Sequence, residues 1–421
     1  MSGLQRSLCP PKQPMSKITK FVLLSSSLLV VLFVVYGSLG VRADSKNDGA
    51  YRQLGVYSEV LSRIRTEYVV DPDMNLVTDG ALHGLLESLD ANSSYLSPTE
   101  YKQYQQRKSE GKAGIGAAIS KRYGYAAVVS VIPGGPADKA QVESGDIIEA
   151  IEGKTTREMS LAEIDGILAG QPGSVINLSI VRPRKAQPQK TPITREVVTT
   201  PPVAEKLMED SIGYIKVITF TKGRTQQVAE QVKAAQKQGA KKLILDLRNC
   251  GAGEEQEGVA TANLFLNHGM IAYLQGQKFA KQTFTAEASK AITNLPLVVL
   301  VNKGTAGPAE IVAASVLENA RGDVLGDKTF GDGAVQQLFP MSDGSALMLS
   351  IAKYYSPSGK AIQDTAVTPN ILVADNDDYA SPDDGDDTTD NANQPETRQK
   401  DQTDEQLRRA VEVLKNKDQH S

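Results

Sequence analysis

The segment Lys242-Leu-Ile-Leu-Asp-Leu-Arg-Asn249 carries the strongest fold signal in the 421 residues of the chain. Its apolar run, closed by charged and polar residues, has the length and composition of a buried β-strand. A helical pattern precedes it over Thr225 to Gln238, a second follows over Val259 to Leu266, and another apolar strand runs from Leu295 to Val301. Strands that alternate with helices in this way predict an α/β layer with mixed or partly parallel pairing.

The alternation of strand and helix patterns continues on both sides of this segment. Ile212 to Phe220 is predicted as a strand, Pro308 to Asn319 as a helix and Ala346 to Tyr355 as a strand. We therefore predict an α/β core over residues 201–373.

Acidic residues separate this core from a closing helix. Residues 375–390 carry eight Asp and no basic residue, so the net charge of −4 is uneven and most of the acidity lies in this one segment. Because the stretch also lacks apolar content, residues 375–402 are predicted to be a disordered linker. The helix that follows, over 403–418, is capped by Thr403 to Gln406 and is apolar on one face, so we expect it to dock onto the core.

Two further regions precede the core. Residues 44–110 show apolar residues at helical spacing and are predicted as an N-terminal helical region. Residues 111–200 consist of short β-like runs punctuated by Gly and Pro, with one helix that Ser160 to Glu163 caps. The Pro- and Lys-rich stretch Pro183 to Pro192 is predicted as a solvated hairpin or linker. The chain is thus predicted to be a multidomain protein of the α+β and α/β classes.

The first 43 residues have the character of an export signal or a membrane anchor. Four basic residues and no acidic one lie in the first twenty positions, and residues 21–41 form one uncharged, mostly apolar stretch. Val41-Arg42-Ala43 fits a small-x-small cleavage site, while the whole apolar run is long enough to span a bilayer, so cleavage and membrane anchoring both stay open. In either case we expect the rest of the chain to lie outside the cytoplasm, in the periplasm or another extracytoplasmic space.

Cysteine and histidine usage argues against a disulfide and a metal centre. Cys9 lies in the leader, so the exported part holds only Cys250 and no intrachain disulfide is expected. The three histidines lie far apart without HExxH or paired spacing, so we expect no metal and no other cofactor. The chain has no basic patch interleaved with aromatic residues and no Trp, which argues against nucleic-acid binding.

Glycines in the β-rich region predict a peptide-binding module. Gly114-Ile115-Gly116 is followed by Pro133-Gly-Gly-Pro-Ala137, by Gly145-Asp-Ile-Ile148 and by the helix at Ser160. This ordered set resembles a bacterial PDZ domain. The resemblance implies that backbone N–H groups of Gly114, Ile115 and Gly116 bind the terminal carboxylate of a peptide, which adds as a strand beside the sheet. The alternative is a β domain whose glycines only make turns.

The α/β core carries four ordered motifs, which are Asp246-Leu-Arg-Asn249, Val299-Leu-Val-Asn302, Gly326 to Gln336 and Tyr354-Tyr-Ser-Pro-Ser-Gly359. Their order resembles that of the C-terminal processing peptidases, also called tail-specific proteases. Tyr68-Val-Val70 and Ser88 to Leu96 are similar to the leader region of the same family. The resemblance covers about residues 50–373 and the last helix, and it implies a serine-type peptidase scaffold with a PDZ domain.

The resemblance also implies where the catalytic residues would lie. In that family a Ser in a GSASASE-like sequence is the nucleophile, and a Lys in TFGKGxVQ, about 25 residues on, is the base that activates it. When Gly304-Thr-Ala-Gly-Pro-Ala-Glu310 is aligned on its Glu, the nucleophile position holds Gly307 and the base position holds Asp332, at the family's spacing. Only Gln336, which supports the pair in the family, is retained.

Neither Gly307 nor Asp332 supplies the family's chemistry, because glycine has no nucleophilic atom and an ionised Asp is not a neutral amine. The oxyanion region is changed too, since the family's paired glycines are Ala252 and Gly253 here and Glu254 to Glu257 follows them. Carboxylates there would oppose a developing negative charge if they faced the site. The resemblance therefore predicts a scaffold without its catalytic pair.

Three functions stay open. The first is a catalytically inactive, exported relative that binds unstructured or C-terminal peptide segments of exported proteins and associates with an active protease or an envelope client. The second is an active serine-type endopeptidase with a relocated nucleophile, for which the nearby hydroxyl and amine groups belong to Thr305, Ser315, Ser345, Lys303 and Lys328. The third is a structural subunit of an envelope complex.

Overall fold

The structure, a computed structural model, describes residues 45–110, 113–122, 124–182, 185–363, 365–374 and 404–417. The predicted leader and the predicted acidic linker over 375–402 lie outside these residues. Within the described ranges, none of the helices combines the length and the apolar character that crossing a bilayer requires.

Two helices begin the described chain, α1 over Ser45–Glu67 and α2 over Met74–Glu87. A short strand, β1 over Ser94–Leu96, and a third helix, α3 over Pro98–Glu110, follow them. Pro98 is the first residue of α3, where a missing N–H costs nothing. On α2, Leu86 is buried while its neighbour Leu85 is exposed.

Strands β2 to β7 form a separate antiparallel sheet. Its strands are hydrogen-bonded in the order β2-β3-β4-β6-β7, and β5 pairs with β4. Their bounds are β2 Ala117–Arg122, β3 Tyr125–Val131, β4 Ile147–Ile151, β5 Lys154–Thr155, β6 Val175–Arg182 and β7 Lys185–Thr194. Two helices, α4 over Pro136–Lys139 and α5 over Leu161–Leu168, complete this unit. The Ser160 hydroxyl accepts the Glu163 amide at 3.1 Å and so caps α5.

The Pro- and Lys-rich stretch contains a strand rather than a linker. β7 runs through Pro188 and Pro192 and pairs with β6 from Val175↔Thr194 to Arg182↔Lys185. β7 is the last strand in the order of this sheet, and an edge position tolerates residues without an N–H. Of the two alternatives predicted for Pro183 to Pro192, the hairpin is therefore the one present.

The core is a six-stranded mixed sheet in the order β17-β14-β13-β10-β9-β8. All its pairs are parallel except β8 with β9. The strands are β8 Ala204–Met208, β9 Ile212–Lys216, β10 Lys242–Asp246, β13 Leu297–Val301, β14 Asp323–Gly326 and β17 Ile371–Leu372. Every residue of β10 and β13 is buried, as expected for strands covered on both faces.

Helices cover both faces of this sheet. Three of them, α6 over Arg224–Lys237, α7 over Glu255–Phe265 and α8 over Pro308–Glu318, pack on the face that carries Leu243 and Val299. The last helix, α9 over Glu405–Lys417, packs on the face that carries Ile244 and Val298. Alternate residues of one strand thus face different helices, which is the two-residue period of a β-strand.

A third sheet, antiparallel, completes the molecule. It contains β1, β11 over Met270–Gln275, β12 over Gln282–Thr285, β15 over Ala334–Pro340 and β16 over Ala346–Tyr355. The predicted strand from Ala346 to Tyr355 has the bounds of β16. Together the three sheets confirm the predicted class, a mixed α/β multidomain protein with N-terminal helices and a separate antiparallel β unit.

Candidate active site

Loops at the carboxyl ends of the parallel strands meet at one edge of the core sheet, which is where open α/β sheets bind their ligands. The loop after β10 contacts the loop after β13, since the Ala306 amide donates to the Cys250 carbonyl at 3.0 Å. The Phe330 amide in turn donates to the Thr305 carbonyl at 2.9 Å. The segments with the predicted oxyanion, nucleophile and base positions therefore lie together.

Gly307 is the N-cap of α8, and Pro308 is the first helical residue. The Gly307 backbone has φ +58° and ψ −120°, a conformation that strongly favours glycine. A Cβ placed on Gly307 would have one neighbour within 4 Å, the carbonyl oxygen of Asp332 at 3.9 Å. Gly307 and Asp332 therefore lie next to each other with unoccupied space at the Cβ position of Gly307, although they are 25 positions apart in the sequence.

Glu310, the residue on which the family motif aligns, holds these two positions together. Its Oε2 accepts the amides of Gly307 at 3.0 Å and Asp332 at 2.8 Å. Its Oε1 accepts the Gly331 amide at 2.8 Å and the Thr329 hydroxyl. The side chain is fully buried, and burial raises the pKa of Glu310 to about 8 although the hydrogen bonds from Thr329, Asp332 and Gly331 act in the opposite direction. A carboxylate in the first turn of α8, directly before a run of apolar residues, is the signal that could have revealed this role.

Asp332 and Gln336 differ in exposure. Asp332 is half-buried. Gln336, the residue retained from the family's motif, lies exposed on β15, where its Nε2 donates to the Ala334 carbonyl at 3.2 Å. The pairing of β15 with β16 shifts register between Val335 and Gln336, so the strand is irregular at this point.

Backbone hydrogen bonds hold the oxyanion region against the loop after β9. The Phe220 amide donates to the Ala252 carbonyl and the Glu254 amide to the Phe220 carbonyl, both at 2.8 Å. Gly253 has φ +136°, and a Cβ there would lie 2.4 Å from the carbonyl carbon of Phe220. Glycine is therefore required at 253.

The acidic residues after Gly253 do not act as one group. Glu257 accepts the amides of Gly223 at 2.7 Å and Thr225 at 2.8 Å, so its carboxylate caps the N-terminus of α6. Glu255 is half-buried, and burial raises its pKa. Glu254 is exposed. The concern that all three carboxylates oppose an oxyanion thus does not apply to Glu257.

The hydroxyl groups nearest to Gly307 in sequence are engaged in hydrogen bonds. Thr305 is fully buried; its Oγ1 donates to the Leu247 carbonyl at 2.8 Å and accepts the Asn302 amide at 3.0 Å. Ser315 is also fully buried, and its hydroxyl donates to the Val312 carbonyl at 2.9 Å. Both hydroxyls therefore stabilise local backbone.

The predicted carboxylate-binding glycines open the β2–β7 unit. The Gly114 amide donates to the Glu196 carbonyl at 3.0 Å, so this N–H is already used within the fold. Ile115 is buried, and its carbonyl accepts the Ala137 amide at 2.7 Å. Gly116 has φ +74°, a conformation that favours glycine, and it leads directly into β2, the first strand in the order of this sheet.

The β2–β7 unit lies directly against the loops of the core. A Cβ on Gly251 would lie 2.7 Å from the Ser130 hydroxyl oxygen, and a Cβ on Gly304 would lie 3.0 Å from the Val129 carbonyl oxygen. Beside this contact a cavity of about 360 Å³ is lined from one side by Ser144 and from the other by polar residues that include Arg248, Asn249 and Asn302.

Comparison with known proteins identifies this arrangement. Peptidase family S41 matches residues 211–373, and a PDZ domain matches residues 128–182. A carboxy-terminal-processing protease of Bartonella bacilliformis is 31% identical over 357 residues, which cover 84% of this chain and 80% of that protein. The chain belongs to peptidase family S41. A carboxyl-terminal-processing protease of Synechocystis is 33% identical over 318 residues, 74% of each protein.

The solved structure of another C-terminal processing protease supports the assignment of this chain to family S41. A photosystem II D1 C-terminal processing protease superposes with a TM-score of 0.64 at 27% identity, over 76% of this chain and 86% of that one. The resemblance to C-terminal processing peptidases with a PDZ domain, which the motifs predict, is thereby confirmed.

Proposed function

We propose that this S41 family member is exported, lacks peptidase activity and binds unstructured or C-terminal peptide segments of exported proteins through its PDZ domain and cleft. One observation carries the proposal: Gly307 and Asp332 are neighbours at the positions where the family's Ser and Lys are expected. Glycine offers no oxygen to form an acyl-enzyme, and a carboxylate beside it is not the neutral amine that would activate a hydroxyl.

Two further observations support this proposal over a relocated nucleophile. Thr305 and Ser315 are buried, and the hydrogen bonds of their hydroxyls stabilise backbone. The side chains of Lys303 and Lys328 are exposed rather than enclosed in the desolvated pocket that a catalytic lysine requires. A general base must reach the proton that it removes, so these residues offer no assembled pair.

Peptide binding is supported by the form of the PDZ domain. β2 stands first in the strand order β2-β3-β4-β6-β7 of the described residues, and a peptide adds to such an edge by main-chain hydrogen bonds. Gly116, at φ +74°, leads into this edge. Export is supported by the basic, acid-free start of the chain and the uncharged run over 21–41.

The activity part of the proposal is tested with four full-length proteins: wild type, Gly307→Ser, Asp332→Lys and the double variant. Each is incubated with an unstructured protein substrate and, separately, with a serine-reactive fluorophosphonate probe. We expect neither cleavage nor labelling of the wild type. Cleavage by the wild type that survives metal chelators and is blocked by the probe would contradict the proposal.

The double variant shows how much of the site persists. Since a side chain at 307 meets open space toward Asp332, we expect Gly307→Ser with Asp332→Lys to be labelled, and each single variant to be labelled far less.

The binding part is tested by titrating a peptide library with free carboxyl ends, and the same peptides amidated, against the full chain. We expect binding that amidation abolishes, because the PDZ mode depends on the terminal carboxylate. Gly116→Val, which places a branched side chain at a φ that favours glycine, should lose this binding. No affinity for either set, together with a stable complex with another envelope protein, would favour the structural-subunit function instead.

A further inference from the structure

A cluster of four charged side chains joins the last helix to the loop after β10. Asp246 is fully buried at the end of β10, where its carboxylate accepts Lys216 at 2.9 Å and Arg248 at 2.7 Å. The hydroxyl of Tyr214 donates to the same carboxylate at 2.6 Å. The other edge of the Arg248 guanidinium donates to both carboxylate oxygens of Asp404, at 2.8 Å each, immediately before α9. Arg248 thus bridges two carboxylates, one two residues before it and the other 156 residues after it in the sequence.

Asp404 completes the charge balance of this cluster. Lys216 and Arg248 bring two positive charges, and Asp246 brings one negative charge. The carboxylate of Asp404 is the fourth charge and makes the cluster neutral. Lys216 and Arg248 are largely removed from water, so an uncompensated positive charge on them would be costly. The two hydrogen bonds between Arg248 and the carboxylate of Asp404 compensate that charge.

A second contact fixes α9 at the same place. The Nε2 of Gln406 donates to the carbonyl of Val373, just after β17, at 2.8 Å. Its Oε1 accepts a longer hydrogen bond, 3.3 Å, from Arg248. The start of α9 is therefore held both by the edge of the core sheet and by the arginine.

Arg248 lies directly before the loop that reaches the cleft. The next residue, Asn249, has φ +55°, and its amide donates to Oδ1 of Asn302 at 2.9 Å. The Asn302 side chain in turn donates to Oδ1 of Asn249 at 3.0 Å and accepts the Gly304 amide at 3.1 Å. Residues 248–250 are thus connected through Asn302 to the segment that ends at Gly307.

We infer that α9 is a positioning element for the cleft: Asp404 holds Arg248, and Arg248 holds the loop over residues 247–253 in the conformation that faces Gly307. Residues 404–417 lie beyond the segment that matches peptidase family S41, which ends at 373. The inference rests on the proposed function only in describing this loop as part of a peptide-binding cleft.

Hydrogen exchange of the full-length protein, followed by mass spectrometry, tests this role. Asp404 also caps α9, because its Oδ1 accepts the Leu407 amide at 2.9 Å. Asp404→Asn keeps a capping oxygen but removes the charge and one of the two oxygens that accept from Arg248, whereas Asp404→Glu keeps the charge and both acceptors. We expect Asp404→Asn to speed exchange in residues 247–253 by about tenfold or more, and Asp404→Glu to restore most of the protection.

The control is Glu412→Ala, on the same helix, since Glu412 pairs with Arg408 and Arg409 of α9 alone. It should leave residues 247–253 unchanged. If Asp404→Asn speeds exchange in α9 while residues 247–253 keep the wild-type rate, α9 covers the sheet without positioning the loop and the inference is wrong. The readout needs neither peptide binding nor catalysis, so its failure is distinct from a failure of the proposed function.

Discussion

The amide of Asp332 donates a 2.8 Å hydrogen bond to the buried carboxylate of Glu310. Because the same oxygen accepts the amide of Gly307, one side chain sets the distance between the two positions where the family's catalytic pair is expected. The local shape of the site therefore depends on a third residue, beyond the two at the family's catalytic positions.

Replacing Glu310 should destabilise the protein. Glu310→Ala leaves three amides and one hydroxyl without their acceptor, and since each such buried group costs about 1–3 kcal/mol, we expect a loss of roughly 4 kcal/mol or more in the free energy of unfolding. Glu310→Gln keeps one good acceptor and should lose less. Urea denaturation measures both. Glu318→Ala, at the partly exposed end of the same helix, is the control, and an equal loss there would argue against a special role of Glu310.

The loss of stability caused by replacing a glycine with alanine should depend on the backbone geometry at that glycine. Gly253→Ala places a Cβ 2.4 Å from Phe220 backbone and is expected to be the most destabilising. Gly307→Ala meets open space but keeps φ +58°, so we expect a cost of about 1–3 kcal/mol from strain alone. Gly114→Ala, with neither a close neighbour nor a positive φ, serves as the control. Thermal unfolding of the three variants checks the order, and a Gly307→Ala protein as stable as Gly114→Ala would refute the strain.

The contact between α2 and α3 should depend on pH. Nε2 of His83 lies 3.3 Å from Oε2 of Glu100, and this hydrogen bond raises the pKa of His83 above its ordinary value of 6.5. A raised folded-state pKa means that the protonated form adds stability, which is fully present below pH 6.5 and is lost as the pH rises through the folded-state pKa.

Unfolding at about pH 5.5 and about pH 8.5, below and above that window, measures this difference. The wild type should lose more stability between the two pH values than His83→Asn, which has no proton to release. Equal losses in the two proteins would mean that the pair contributes nothing.

Shortening an apolar side chain of α9 should be costly. Leu414 is fully buried against the core sheet, so Leu414→Ala is expected to lower the free energy of unfolding by about 2–5 kcal/mol. Its neighbour Lys415 has an exposed side chain that pairs with Asp210, and Lys415→Ala should have no measurable effect. If Leu414→Ala and Lys415→Ala have the same free energy of unfolding, α9 is not part of the cooperative core.

The sequence predicts the central strands well because burial on both faces leaves a strong mark. β10 and β13 appear as unbroken apolar runs, and the predicted start of α8 at Pro308 follows from the fixed φ of proline. Strands of mixed composition are harder to predict, because β12 carries no such run and β7 with its two prolines is accommodated only by its place at an edge.

For the site, the family's spacing brings Gly307 and Asp332 into correspondence, and in the structure they are neighbours. The roles of Glu310 and Arg248 could not be obtained in this way. Three of the four donors around Glu310 lie 19 to 22 residues further along the chain, and the partner of Arg248, Asp404, follows it by 156 residues. Pair contacts over such separations leave no periodic pattern along one chain.

The position of α9 on one face of the core sheet has a consequence for the order of assembly. During synthesis, Ile244, Val298 and Leu300 emerge long before Ala410 and Leu414, which cover them in the finished fold. Until α9 arrives, a growing chain presents an uncovered apolar sheet to its surroundings. Chains interrupted after β17 are therefore expected to aggregate or to be retained by chaperones, even though every strand of the core has already been made.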